Sequence, residues 1–192
     1  MKLYLAPLEG ITNHIYRKAL YQCFGGFDKY FIPFIRAKQN LNFSGREKKD
    51  ISPENNLGMY AVPQILTKNA DDFLQTANQL REYGYQEVNL NLGCPSKTVV
   101  TKGCGAGFLD RPEELERFLD KIFSGTDMRI SVKTRLGMED AEGFPHLMEI
   151  YNRFPMEELI IHPRVQKDFY KNIPDLDVFG EALACSRHPV CY

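Results

Sequence analysis

The sequence predicts an α/β protein built on a parallel sheet. Three observations carry this. Strand-like and helix-like segments alternate along the 192 residues. Polar residues recur where the strand-like segments end. Residues 88–95, Val-Asn-Leu-Asn-Leu-Gly-Cys-Pro, alternate with a period of two and then run into a cysteine. There Asn89 and Asn91 share one strand face, and Val88, Leu90 and Leu92 share the other. Gly93 lets the backbone turn or approach a ligand closely, and Pro95 biases Cys94 toward an extended backbone. The Cys94 thiol is thus fixed at the carboxyl end of a strand, where α/β proteins place their chemistry. A free cysteine is most often a small buried apolar residue. The flanking glycine and proline, with two amides on one face, favour a functional one.

The elements follow in order. Lys2 to Ala6 reads as a short first strand ending at Pro7, and Thr12 to Tyr21 as a helix capped by Thr12 or Asn13. Tyr30 to Ile35 and Ala61 to Leu66 are strands, the latter with Gln64 near its end. Ala70 to Tyr83 is a helix, with Phe73, Leu74, Ala77 and Leu80 at helical spacing and Gly84 to end it. The Cys94 strand comes next. Pro112 to Phe123 is a helix, Arg129 to Thr134 a strand, Phe144 to Phe154 a helix, and Glu158 to Ile161 a strand ending at His162. Phe179 to Ala184 is a short helix, and Pro189 to Tyr192 begins a further strand. Residues 38–58 are polar and charged, including Arg46, Lys48, Lys49 and Asp50, and read as a long solvated loop.

Seven strand candidates separated by helices predict a (β/α)8 TIM barrel, incomplete at the carboxyl end, since a full barrel needs ~250 residues. An open doubly wound sheet is the alternative, but no G-x-G-x-x-G follows the first strand. One partial domain over residues 1–192 is expected. The chain is 43% hydrophobic and 26% charged, as a globular protein should be. Its net charge of -1 announces no global basic field, so any RNA contact must be local. No run of about 18 apolar residues predicts a membrane span, and the start is too short for a signal peptide. The five cysteines are odd in number and irregularly spaced, with no C-x-x-C, so neither a disulfide framework nor a metal site is expected. A reducing, cytoplasmic location is the default.

In a barrel the strand ends meet at one mouth. Pro7-Leu8-Glu9-Gly10 follows the first strand, Gln64 lies on the third, Asn91 and Cys94 on the fourth, Lys133 on the fifth, and His162 and Arg164 after the sixth. A lone lysine at a strand end usually snorkels, and a lone histidine is usually structural. Polar residues in register across five strands argue for a site.

These blocks have a recognisable order. Ala6-Pro7-Leu8-Glu9-Gly10-Ile11-Thr12, Asn89-Leu90-Asn91-Leu92-Gly93-Cys94-Pro95, Gly103-Cys104-Gly105-Ala106-Gly107-Phe108-Leu109, Ser131-Val132-Lys133-Thr134-Arg135-Leu136-Gly137 and Ile161-His162-Pro163-Arg164 resemble the tRNA-dihydrouridine synthase family. The resemblance implies an oxidoreductase on a (β/α)8 barrel that reduces the C5=C6 bond of uridines in tRNA, using FMN re-reduced by NADPH. It implies that Cys94 is the proton donor, that Pro7, Leu8 and Glu9 lie along the flavin, and that Gln64 and Lys133 contact its ring. His162 is then a flavin neighbour, Arg164 lies beside cofactor or RNA, and Asn91 orients the flavin or the target uracil. Cys104 is incidental.

The chemistry agrees with that assignment. Reduction needs a hydride, which reduced flavin supplies, and a proton from a group that stays protonated near neutral pH. A thiol with a pKa near ~8.5 meets this, so Cys94 is expected not to be strongly activated. A buried Lys133 needs an anionic partner, and reduced flavin carries negative charge near N1. The target base must be turned out of its stack, with RNA held through backbone and shape.

The family pattern continues into an Asn-Gly-Asp segment, a Gly-Arg segment at strand eight that helps hold the flavin phosphate, and a helical tRNA-binding domain. Residues 1–192 do not include them. The expectation for these residues alone is open sheet edges, weak FMN binding and little turnover. Two other readings stay open at this stage: a non-catalytic remnant that contacts RNA or a partner, and another FMN-dependent barrel acting on a small molecule.

Overall fold

The computed structural model describes residues 1–37 and 43–192. Its sheet holds seven parallel strands in chain order. They are β1 (Tyr4–Leu5), β2 (Lys29–Arg36), β3 (Ala61–Leu66), β4 (Glu87–Leu92), β5 (Arg129–Arg135), β6 (Leu159–His162) and β7 (Val190–Cys191). Helices α1 (His14–Cys23), α2 (Gly45–Ile51), α3 (Ala70–Glu82), α4 (Lys97–Val100), α5 (Pro112–Gly125), α6 (Phe144–Tyr151) and α7 (Leu176–Cys185) lie between the strands. The sheet curls into an incomplete (β/α)8 barrel with β1 and β7 as its edges, the predicted fold class.

The period-two pattern divides each strand between two environments. On the outer side, Ile65, Val88, Leu90, Ile130, Val132 and Leu159 form one core with Phe73 and Leu80 of α3 and Leu115, Phe118 and Ile122 of α5. On the inner side, Phe31, Val62 and Ile160 pack with Tyr4 and Cys191. Strand β4 is buried along its whole length, so its alternation separates helix-facing apolar residues from lumen-facing amides.

The amino ends of the strands are closed by charge. Lys29 Nζ donates to Glu87 Oε1 at 2.9 Å and to Glu158 Oε2 at 3.3 Å. Tyr60 OH donates to Glu87 at 2.8 Å and Tyr4 OH to Glu158 at 2.6 Å. These bonds satisfy two largely buried carboxylates and leave the lumen open toward the carboxyl ends.

Arg17, on α1, is fully buried. Its Nη1 donates to the Thr12 carbonyl at 2.7 Å, its Nη2 to the Asp50 carbonyl at 2.6 Å, and both Nε and Nη2 to Asn56 Oδ1, at 3.2 and 2.9 Å. Thr12 Oγ1 in turn accepts from Leu8 N at 2.9 Å. One guanidinium thereby ties α1 to α2 and fixes the turn that follows β1. Asn13, not Thr12, caps α1, accepting from Tyr16 N at 3.0 Å.

The long loop expected over residues 38–58 is corrected in part. Its first five residues, 38–42, lie outside the described residues. The rest holds α2 and a 3-10 turn over Pro53–Asn56. Ser44 and Glu47 form a reciprocal capping box, which starts a helix in a segment with no apolar periodicity. Among the described residues no helix is long and apolar enough to cross a membrane. None of their His, Cys, Asp or Glu side chains group to hold a metal.

Candidate active site

The carboxyl ends of the strands surround a cavity of about 770 Å³. Every residue predicted for the site lines it: Pro7, Leu8 and Glu9 after β1, Gln64 on β3, Asn91 and Cys94 on and after β4, Lys133 on β5, and His162 and Arg164 on and after β6.

The Cys94 turn is built by Asn91. Its Oδ1 accepts from Gly93 N at 3.1 Å and Cys94 N at 2.9 Å, and its Nδ2 donates to Gln64 Oε1 at 2.6 Å. Gln64 Nε2 donates to Asn89 Oδ1 at 2.8 Å, and Asn89 Nδ2 donates to Ser131 Oγ at 3.0 Å. The two amides on one face of β4 thus belong to a buried polar network spanning three strands. Burial pushes the Cys94 thiol above its ordinary range. Nearby Glu9 adds to this, while Arg36 and Arg135 oppose it. The group facing the cavity at neutral pH is therefore a thiol.

Lys133 is pushed down to about 8, by burial first and then by Arg135; the Cys191 thiol works against this. No carboxylate among the described residues pairs with it. Burial together with Arg135, Lys133 and Arg164 lowers His162 to about 3, so its ring is neutral at pH 7. Arg164 Nη1 lies 2.7 Å from His162 Nε2 and donates to it, which leaves the ring proton on Nδ1.

Arg135, Phe169 and Tyr170 also line the cavity and received no role from the sequence. Arg135 Nε donates to the Gly93 carbonyl at 2.9 Å, Nη1 to Val165 O at 2.9 Å and Nη2 to Phe169 O at 2.7 Å. It joins the Cys94 turn to the segment after β6. Phe169 has φ +51°, the one positive value outside glycine among the described residues, and backbone strain of this kind collects at functional sites. The Tyr170 ring stacks on His162 at 5.9 Å, with the Arg135 guanidinium 5.4 Å from its centroid. Arg135 stood inside the Lys-Thr-Arg block, and that was its signal. Phe169 and Tyr170 had none, because a chain reversal brings them to the mouth.

This chain matches the family described as dihydrouridine synthase over residues 4–178. The chain belongs to the dihydrouridine synthase family. It is 29% identical over 178 residues to the tRNA-dihydrouridine(16) synthase of Pseudomonas syringae pv. tomato, covering 89% of this chain and 56% of that protein. It is 28% identical over 197 residues to the tRNA-dihydrouridine(16) synthase of Ralstonia nicotianae, covering 98% and 60%. With tRNA-dihydrouridine synthase B of Pasteurella multocida it shares 24% over 177 residues, covering 92% and 52%. The chain thus spans about half to three fifths of the length of these relatives.

The cavity of this dihydrouridine synthase-family chain fits an anionic, planar ligand. Lys133 offers a cation without a carboxylate partner, and Phe31, Phe34 and Leu8 offer apolar walls. One pH dependence follows. Unfolded, Lys133 holds its proton to about 10.5; folded, it releases it near about 8. Between those values the unfolded chain binds more protons, so the Lys133 contribution to stability rises with pH. An anionic ligand beside Nζ favours the protonated form, so its affinity should fall as pH rises above about 8. Fluorescence titrations with FMN from pH 7 to 10 would check this, with Lys133→Gln losing the pH dependence.

Proposed function

We propose that residues 1–192 are the catalytic barrel region of an FMN-dependent tRNA-dihydrouridine synthase. In this reading it reduces the C5=C6 bond of a uridine in tRNA, and NADPH re-reduces the flavin. The observation that supports this most is one cavity that places a protonated thiol, Cys94, in the same chamber as an uncompensated cation, Lys133. When bound, the flavin supplies the hydride.

The chain's own residues do the rest. Cys94 Sγ gives its proton to C5 of the uracil and regains one from solvent. Its raised pKa keeps it protonated at pH 7 and makes the return of the proton favourable. Asn91 holds the turn that aims the thiol. Lys133 would hold the flavin as a cation beside an anionic ring. Gln64, held by Asn89 and Asn91, and the segment Pro7-Leu8-Glu9 would line the flavin site. Neutral His162 presents a hydrogen bond rather than a second charge. Arg164 steadies that ring and faces the RNA side.

The five free cysteines suit a reducing compartment, the cytoplasm. The test is single-turnover incubation with pre-reduced FMN and an unmodified tRNA transcript, read by mass spectrometry of digested nucleosides. Dihydrouridine is the expected product. Flavin oxidation with no dihydrouridine in any tRNA, but with reduction of a free pyrimidine, would favour a small-molecule reductase instead.

A further inference from the structure

Among the described residues several cations are held in ion pairs. Arg81 meets Asp127 at 2.7 Å, Lys121 meets Asp71 at 2.7 Å, Arg153 meets Glu116, and Lys29 meets Glu87 and Glu158. Three exposed cations at the rim beside the Cys94 turn are compensated less or not at all. Lys68, just after β3, and Lys102, in the loop after β4, have no carboxylate partner among the described residues. Arg111 has a 3.4 Å contact with the exposed Glu114 and no other acidic partner there.

These rim cations converge. A Cβ on Gly103 would stand 3.4 Å from Lys68 Nζ and 3.5 Å from Arg111 Nη1. Gly103 has φ +68°, so a glycine is what this backbone favours, and no side chain fills the space between the two heads. Two like charges aimed at one point repel unless an anion lies between them. The neighbouring Cys104 feels the same field: Lys68, Lys102 and Arg36 oppose the burial that pushes its thiol up.

The point of convergence is held close to the thiol. Ala106 N donates to the Cys94 carbonyl at 3.1 Å, and a Cβ on Gly105 would lie 3.0 Å from Cys94 Cβ. Gly103 is two residues from Gly105, at most roughly 7.6 Å along the chain. A strand whose base enters the cavity therefore passes this rim within about one nucleotide.

We propose that Lys68 and Arg111, converging on Gly103 with Lys102 beside them, form a seat for a backbone phosphodiester of the RNA strand next to the nucleotide that enters the cavity. The proposal rests on the RNA reading above. A phosphodiester is always anionic and carries no base identity, so such a seat fixes the register of the strand without choosing its sequence.

The test is the salt dependence of tRNA binding, measured by anisotropy of an end-labelled transcript between about 50 and 200 mM KCl. Each phosphate neutralised contributes about 0.7 to 0.9 to the slope of log K against log salt. The Lys68→Ala/Lys102→Ala/Arg111→Ala variant should lose about 0.7 to 0.9 from the slope, one phosphate's worth. A control variant, Arg81→Ala/Lys121→Ala/Arg153→Ala, removes the same charge from paired positions and should leave the slope unchanged. Lys68→Glu should weaken binding further than Lys68→Ala, with an unchanged circular dichroism spectrum.

An unchanged slope in the rim variant, with wild-type binding intact, would overturn the seat and leave the RNA reading standing. Equal losses in rim and control variants would reduce the seat to general charge and overturn it. A higher KM for NADPH in the rim variant with an unchanged slope would assign the rim to the dinucleotide's phosphate and overturn it too. No binding of tRNA by the wild-type chain would remove the RNA reading itself.

Discussion

Replacing Cys94 by alanine is expected to lower uridine reduction by about 10²- to 10⁴-fold, the usual loss on removing a general acid. Flavin binding should survive, because the side chain is small and the turn is held by backbone bonds to Asn91 and Arg135. The separation of the two effects is the point of the experiment. A Cys94→Ser variant would restore shape but not acidity, since a hydroxyl is a much poorer proton donor than a thiol, and should stay near the alanine level. Rapid-reaction kinetics of flavin oxidation with tRNA would read the loss. A Cys94→Ala protein with wild-type rates would move the proton donor elsewhere. Iodoacetamide labelling against pH gives an independent check. Burial raises the thiol's pKa, so the labelling rate should have its midpoint above that of a free cysteine.

The second large effect lies away from the chemistry. Arg17→Met should destabilise the fold by about 3–5 kcal/mol, the range for removing one member of a buried charged network. The loss is large because two acceptors depend on this one side chain, the Thr12 carbonyl and the amide oxygen of Asn56, while the Asp50 carbonyl keeps only its bond from Asn56 Nδ2. Left unpaired in the interior, an acceptor costs more than the bond it made. Arg17→Lys should recover little, since a single ammonium cannot reach three acceptors in the fork geometry of a guanidinium. Urea denaturation would measure both. The Thr12–Leu8 bond predicts that flavin affinity weakens in Arg17→Met even below the unfolding transition. A shift of less than about 1 kcal/mol would mean that the turn after β1 is held by something else.

Most of the barrel could be read from the chain because period-two and period-3.6 patterns are imposed by burial on two sides of each strand. Ala61–Leu66 was bounded by the sequence as it stands in the structure. Strand β1 was overextended because only Tyr4 and Leu5 pair with β2, and apolar character alone cannot show where pairing stops. Helix α7 was set too short because it is only lightly buried, with Ala182 its one buried residue. Helix α2 escaped notice because its start depends on the capping box of Ser44 and Glu47, a signal hidden in a charged run.

The site was legible for a different reason. In a parallel barrel each strand delivers its last polar side chain to one mouth, so position on a strand already implies convergence. What the sequence did not disclose was interaction across the chain. Asn91 looked like a ligand-facing amide, yet all its bonds go to Gln64 and to the Cys94 turn. The rim of Lys68, Lys102 and Arg111 is spread over 44 residues and becomes one feature only when β3 and β4 pair.

The central claim is that this cavity binds a flavin against Cys94. A visible-absorption titration of the purified chain with FMN, run beside iodoacetamide labelling of Cys94, tests it most directly. The account predicts a saturable shift of the flavin band and slower Cys94 labelling with the same concentration dependence. An FMN spectrum that stays that of free flavin at every concentration, with Cys94 labelled at an unchanged rate, would contradict it.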